Sequence, residues 1–224
     1  MTNEELIQNY PRAYHMAEAK TWDSIKKHGL LSTTALLDLF EIGGAERRKL
    51  ESERRPECVT IKHSLYGTAV IRDQKPMSEK ALLKCLVGAT PQQWYELLNR
   101  RTFFWLNPDR LNRLLSARAY RDRTHCVITV DTRRLIEGRS DRVTLCPINS
   151  GSTIMSAPAR SPTSFYPIAD YPFDHWKECR GKKNAIAELA VDYAVPNIAG
   201  TALLVEHRQT NQVLETIWCE NGDL

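Results

Sequence analysis

The sequence predicts one α+β domain, and three observations carry that expectation. Short apolar runs of strand character are interspersed with short amphipathic helical stretches along the whole chain. The 224 residues, 42% hydrophobic and 26% charged, are enough to bury a proper core. No linker, internal repeat or low-complexity tract divides residues 1–224, so a single domain is expected.

The elements follow in order. Residues 3–8 read as a short helix and residues 13–16 as a brief strand entered through Pro11, which cannot sit inside a helix. Thr21 is an N-cap candidate for a helix carrying Trp22 and Ile25, and Gly29 suits its C-cap, with Leu30 and Leu31 leaving it. A helix at 33–40 precedes the charged stretch EIGGAERRKLESERRPECV, which turns at Gly43-Gly44 and ends at Pro56. Its bases Arg47, Arg48, Arg54 and Arg55 read as a solvated helix face, with Glu51 and Arg55 at i,i+4, or as the source of one inward guanidinium for a pyrophosphate.

Residues 58–71 read as one or two strands around Gly67, and 78–87 and 91–99 as helices, the first capped by Ser78 and the second turning Trp94, Leu97 and Leu98 inward. RTFFWLN at 101–107 is an aromatic strand ended by Pro108, followed by a helix at 109–117 with Leu111, Leu114 and Leu115 on its apolar side. Its rings serve a core, or stack on a nicotinamide or adenine ring. Residues 126–130 form a clear strand with a helical turn at Leu135 and Ile136. Residues 143–173 read as a long irregular segment. Within it, NSGST at 149–153 is only superficially like a phosphate cradle, because the P-loop Lys is missing. Strands at 202–206 and 213–219, joined by a turn at 209–212, close the chain.

The stretch RGKKNAIAELAVDYAVPNIAG, residues 180–200, places one acid, Glu188, inside an apolar run. As a strand it sets Ile186, Glu188, Ala190 and Asp192 on one face and Ala187, Leu189, Val191 and Tyr193 on the other. Glu188 is then a solvent-facing carboxylate or the acid of a cleft wall. His15, near the end of the first strand, is a satisfied histidine or a ligand contact.

Charge and cysteines bound the function classes. Thirty-one basic against 27 acidic residues give +4, which permits an anionic partner without requiring one. Six Cys, at 58, 85, 126, 146, 179 and 219, are too widely spaced for a zinc ribbon and read as reduced thiols, so no metal is expected. The start MTNEELIQNYPRAYHM has no signal-peptide pattern and no apolar run reaches 18 residues, so a cytoplasmic protein without a membrane partner is expected.

Four stretches, in order, resemble the ADP-ribosyltransferase superfamily and within it the DarT-type toxins that modify DNA. Tyr14-His15-Met16, leading through Trp22 and Ile25 to Gly29-Leu30-Leu31, is similar to that family's opening motif. The basic run from Glu46 to Arg55 is similar to the segment that carries its essential arginine. Phe103 to Arg110 with Leu114-Leu115 looks like its aromatic strand, Pro turn and helix, and Lys182 to Pro196 like its catalytic-glutamate strand. An extra helical insertion at about 70–99, where the toxins are shorter, points to a sister family.

The resemblance implies an ADP-ribosyltransferase-like split, bent antiparallel β core with peripheral helices around an NAD cleft. It implies mono-ADP-ribosyl transfer from NAD, a consumed co-substrate, to a macromolecular acceptor, with nucleic acid (DNA or RNA) ahead of protein, and a toxin's antitoxin as a further partner. Glu188 would be the catalytic carboxylate, with Arg54 or Arg55 as the active-site arginine. Tyr14, His15, Gly29, Leu30, Arg48, Phe104 and Trp105 would surround NAD. The competing expectations are an NAD glycohydrolase, with water as acceptor, and a non-enzymatic NAD- or nucleic-acid-binding module; a tRNA phosphotransferase-like activity is more distant.

Overall fold

In the computed structural model, which describes residues 1–154, 157–220 and 222, the first strand of the chain becomes the middle of the sheet. The N-terminal elements are α1 (Asn3–Asn9), β1 (Arg12–Glu18), α2 (Trp22–His28), β2 (Leu30–Leu31), α3 (Thr33–Leu39) and α4 (Gly44–Glu51). The hairpin β3 (Val59–His63) and β4 (Gly67–Ile71) leads to α5 (Glu79–Cys85), α6 (Pro91–Asn99), β5 (Arg101–Trp105) and α7 (Pro108–Leu115). Next come β6 (His125–Asp131), α8 (Thr132–Ile136), β7 (Val143–Cys146), β8 (Tyr166–Pro167) and α9 (Phe173–Arg180). The chain closes with β9 (Glu188–Asp192), β10 (Ala194–Val195), β11 (Ala202–Gln209) and β12 (Gln212–Cys219).

The main sheet has eight strands in the order β12-β11-β6-β1-β5-β9-β7-β8, and every neighbouring pair is antiparallel. Its pairing is uneven. β1 meets β6 through seven residue couples from Arg12↔Asp131 to Glu18↔His125, and β5 meets β9 through five, yet β1 meets β5 only at Tyr14↔Trp105. The sheet therefore has a seam at its centre that divides it into two four-stranded halves. Helices and strands thus mix around one antiparallel sheet, the α+β arrangement expected.

One face of the sheet carries the largest core, where Phe104, Leu189, Val191 and Leu145 meet Leu6, Trp22 and Leu135. The other face is covered in two places: α5 and α6 bring Leu82, Trp94 and Leu98 onto Cys146 and Ala190, while α7 brings Leu111 and Leu115 onto Met16 and Val127. A fourth cluster joins Leu37, Phe40 and Leu50 to Ile61, Ala69 and Ile71 of the hairpin.

Three expectations need correction. Residues 143–146 are a sheet strand rather than part of an irregular segment: Val143, Leu145 and Cys146 are buried and pair along β9, the irregular stretch beginning only after them. Residues 67–71 are strand, so the helical segment starts at Glu79, and it packs into the sheet's own core. Thr21 does not cap α2 with its side chain; its hydroxyl donates instead to the Glu18 carbonyl at 2.7 Å. Gly29 does end that helix, at φ +90°, and a Cβ there would lie 2.7 Å from the Pro196 carbonyl oxygen, so only glycine fits. Among the described residues no helix is long and apolar enough to cross a membrane.

Candidate functional site

Beyond Tyr14 the two sheet halves part, and a cleft of about 1040 Å³ opens between the clusters on that face. From the β1 side it is lined by His15, Met16 and Glu18; from the β5 side by Phe103 and Trp105; and at its floor by Glu188. The Nδ1 of His15 lies 2.8 Å from the Phe103 carbonyl oxygen, on a strand that β1 no longer pairs. A carbonyl oxygen only accepts, so Nδ1 carries the proton and Nε2 keeps its lone pair. Burial pushes the imidazole down to about 4, more than the Phe103 bond raises it, with Arg72 lowering it further; the ring is neutral at physiological pH.

Glu188 is 4% exposed, which excludes the solvent-facing alternative. β9 lies between β5 and β7, and its residues 188–191 are buried on both faces. The register aligns Tyr14, Trp105, Glu188 and Cys146 in one row across the sheet. Both carboxylate oxygens accept from the Ser150 amide, at 3.2 and 3.1 Å, and among the described residues no cation is within ion-pair distance. Burial raises the acid to about 7, against the lowering effects of the Ser150 bonds and of the Arg110 and Arg160 charges. Arg160, 1% exposed, in turn donates from Nη1 to the Ser150 carbonyl at 3.0 Å, so the loop peptide is held from both sides.

Gly29 and Leu30 line the cleft as well, because β2 pairs with β10 through Leu30↔Val195 and Leu31↔Ala194. That pairing brings the first and the last of the four sequence stretches side by side. At the far end Glu18, Arg72, Asp73 and Tyr120 form a charged wall: Asp73 accepts from Tyr120 Oη at 2.7 Å, and Glu18 binds Arg123 at 2.6 Å and Arg72 at 3.5 Å. Among the described residues there is no group of three or more His, Cys, Asp or Glu side chains placed to hold a metal.

Other expected residues lie elsewhere. Phe104 is 1% exposed in the core on the opposite face, because alternation along β5 turns Phe103 and Trp105 toward the cleft and Phe104 away. Tyr14 packs beside Leu111 and Leu115 and does not line the cleft, and Arg48 is an exposed residue of α4. Arg54 donates to the Met77 carbonyl away from the cleft. Arg55 reaches the cleft wall but spends its donors inside the protein, on the carbonyls of Leu50 and Arg72, Asn99 Oδ1 at 2.9 Å and Thr33 Oγ1. With those contacts it braces α4, α6 and the hairpin exit against one another.

The family described as one of unknown function, DUF7002, matches residues 11–202. The chain belongs to the DUF7002 family. No curated protein matches the chain. The DUF7002 match runs from the residue before β1 to the start of β11, so it contains His15, Gly29, Ser150 and Glu188 and leaves out α1 and the β11–β12 hairpin beyond Ala202.

Sequence reading missed Ser150 and Arg110, which line this DUF7002 cleft, and Arg160, buried behind it. The NSGST stretch did single out the loop, as only superficially like a phosphate cradle, without showing that the Ser150 amide holds a carboxylate. Arg160, in a segment without periodicity, left no sequence signal. Arg110 was visible only as the charged turn after the aromatic strand.

Proposed function

We propose that this protein breaks the bond between nicotinamide and ribose in NAD and transfers ADP-ribose to a macromolecular acceptor, nucleic acid ahead of protein. The observation that carries the reading is Glu188: a buried carboxylate, without a cationic partner among the described residues, lining a large cleft that a neutral histidine also lines. In the reaction the electron pair of the glycosidic bond leaves with the nicotinamide ring, and positive charge develops on the ribose. An ionised Glu188 opposes that charge more strongly in the transition state than in the ground state. The acceptor then bonds to the ribose carbon and gives up its proton.

The size of the cleft and the partly exposed rings of Phe103 and Trp105 fit a dinucleotide, and the lone pair on His15 Nε2 fits a ribose hydroxyl donor. Arg113 on α7 and Arg118 beyond it, both exposed on the cleft wall, favour an anionic acceptor. The test is incubation with NAD labelled in the adenylate half, together with DNA, RNA or a cell lysate, beside the Glu188→Gln protein. Label on a macromolecule with wild type alone supports the transferase, and nicotinamide release without label would make it a glycohydrolase. Neither product from folded wild type would defeat the enzymatic reading and leave a binding module.

A further inference from the structure

α7 docks through Leu111 and Leu115, and this leaves Arg110 and Arg113, three residues apart and so adjacent on the helix surface, on the cleft side. The arginines of the cleft differ in what they already hold. Arg55 and Arg101 donate to main-chain carbonyls, and Arg72 to the Met16 carbonyl and Glu18. The guanidinium of half-buried Arg110 donates to nothing among the described residues, and its Nε is fully buried without an acceptor. Its neighbour Asp109 faces Lys183 at 3.3 Å instead. Arg180, a third cation near it, is committed to the Pro147 carbonyl and lies 4.1 Å from the Trp176 ring. Burial and the Arg113 charge both work against the cationic form of Arg110, with Glu188 the counter-influence. A half-desolvated guanidinium with no acceptor is costly unless an anion completes it. Arg113 Nε is committed to the Asp109 carbonyl at 3.2 Å, and its terminal nitrogens beside the Arg110 guanidinium suit two linked phosphates better than one carboxylate.

We propose that Arg110, backed by Arg113, is the subsite for the diphosphate of a dinucleotide-type ligand whose ribose lies toward Glu188. The orientation of the ligand rests on the transferase reading; the diphosphate contact does not need it. It also assigns the anion-binding role expected of Arg54 or Arg55 to a residue whose donors are free.

The experiment is calorimetry on the full chain at low salt with ADP-ribose, AMP and adenosine, for wild type, Arg110→Gln, Arg110→Lys and Arg113→Gln. ADP-ribose should bind wild type tightest and adenosine weakest. Arg110→Gln should weaken ADP-ribose at least tenfold, flatten its salt dependence and leave adenosine unchanged, while Arg110→Lys should recover part of the loss. Because Arg110 has no protein partner to lose, Arg110→Gln should melt no lower than wild type, which separates lost binding from lost folding. Unchanged ADP-ribose affinity in Arg110→Gln, or wild type binding ADP-ribose no more tightly than adenosine, would overturn the subsite. Nicotinamide release measured in parallel keeps the two readings apart: Arg110-dependent binding without turnover upholds the subsite and removes the transferase, and full turnover by Arg110→Gln does the reverse.

Discussion

Replacing Glu188 with Gln should make the protein more stable at alkaline pH while abolishing its proposed chemistry. The folded acid lies at about 7 against an ordinary 4.5. Between those values the unfolded chain loses a proton that the folded chain keeps, so wild-type stability falls as pH rises through the window. The full penalty is on the order of 3 kcal/mol. At pH 5 little of it is present and at pH 8 nearly all, so the change across the window is about 2–3 kcal/mol. The amide that Glu188→Gln introduces does not titrate, and any constant offset from it cancels in that difference. Relative to wild type, Glu188→Gln should therefore gain about 2–3 kcal/mol between pH 5 and pH 8, roughly 5–10 °C in Tm for a chain of this size. Chemical denaturation at pH 5, 6, 7 and 8 reads it directly. His15, lowered to about 4, acts in the opposite sense, its contribution growing as pH rises from about 4 to 6.5, and Glu188→Gln should expose that slope. An unchanging difference between variant and wild type from pH 5 to pH 8 would refute the shifted carboxylate.

Four further outcomes follow. If ionised Glu188 is the working form, nicotinamide release should climb with pH through about 7 and level above it, and a pH–rate profile flat from 6 to 8 would disagree. In the Glu188→Gln protein that release should fall about a hundred- to thousandfold with NAD affinity retained. His15→Ala strands the Phe103 carbonyl and removes the proposed ribose contact, so it should cost roughly 1–3 kcal/mol of stability and weaken NAD binding; unaltered NAD affinity would clear His15 of the ligand role. Gly29→Ala must place a methyl 2.7 Å from the Pro196 carbonyl at a positive φ, which should cost roughly 3 kcal/mol, and a melting curve superposable on wild type would show that the β2–β10 junction gives way cheaply.

Local chemistry made most elements legible. Pro11, Gly29, Pro91 and Pro108 punctuate the chain where strands and helices begin or end, and the β-branched run of β6 could only be a buried strand. What the sequence could not disclose depended on partners distant in the chain. β7 is a strand because β9 lies beside it, and its four residues are too short to announce a period. Glu188 looked ambivalent because alternation along one strand does not say that both faces are covered. Phe104 and Trp105 were grouped together by composition, yet the pleat sends them to opposite faces. Arg55 carried the expected chemistry, but only the folded arrangement of Leu50, Arg72 and Asn99 reveals that its donors are already used.

The central position of β1 also has a consequence for how the chain is made. Its principal partner, β6, emerges from the ribosome more than a hundred residues later, on the order of ten seconds at ordinary elongation rates. Until then β1 has at most its single couple to β5, Tyr14↔Trp105, whereas α3, α4 and the β3–β4 hairpin already possess their shared cluster. The nascent chain therefore begins with a small locally assembled unit and a waiting, aggregation-prone strand. A fragment of residues 1–124 contains most of the cleft's basic and aromatic side chains and none of the strand that pairs along the whole of β1, so it is the C-terminal half of the chain that completes the pairing of the N-terminal half.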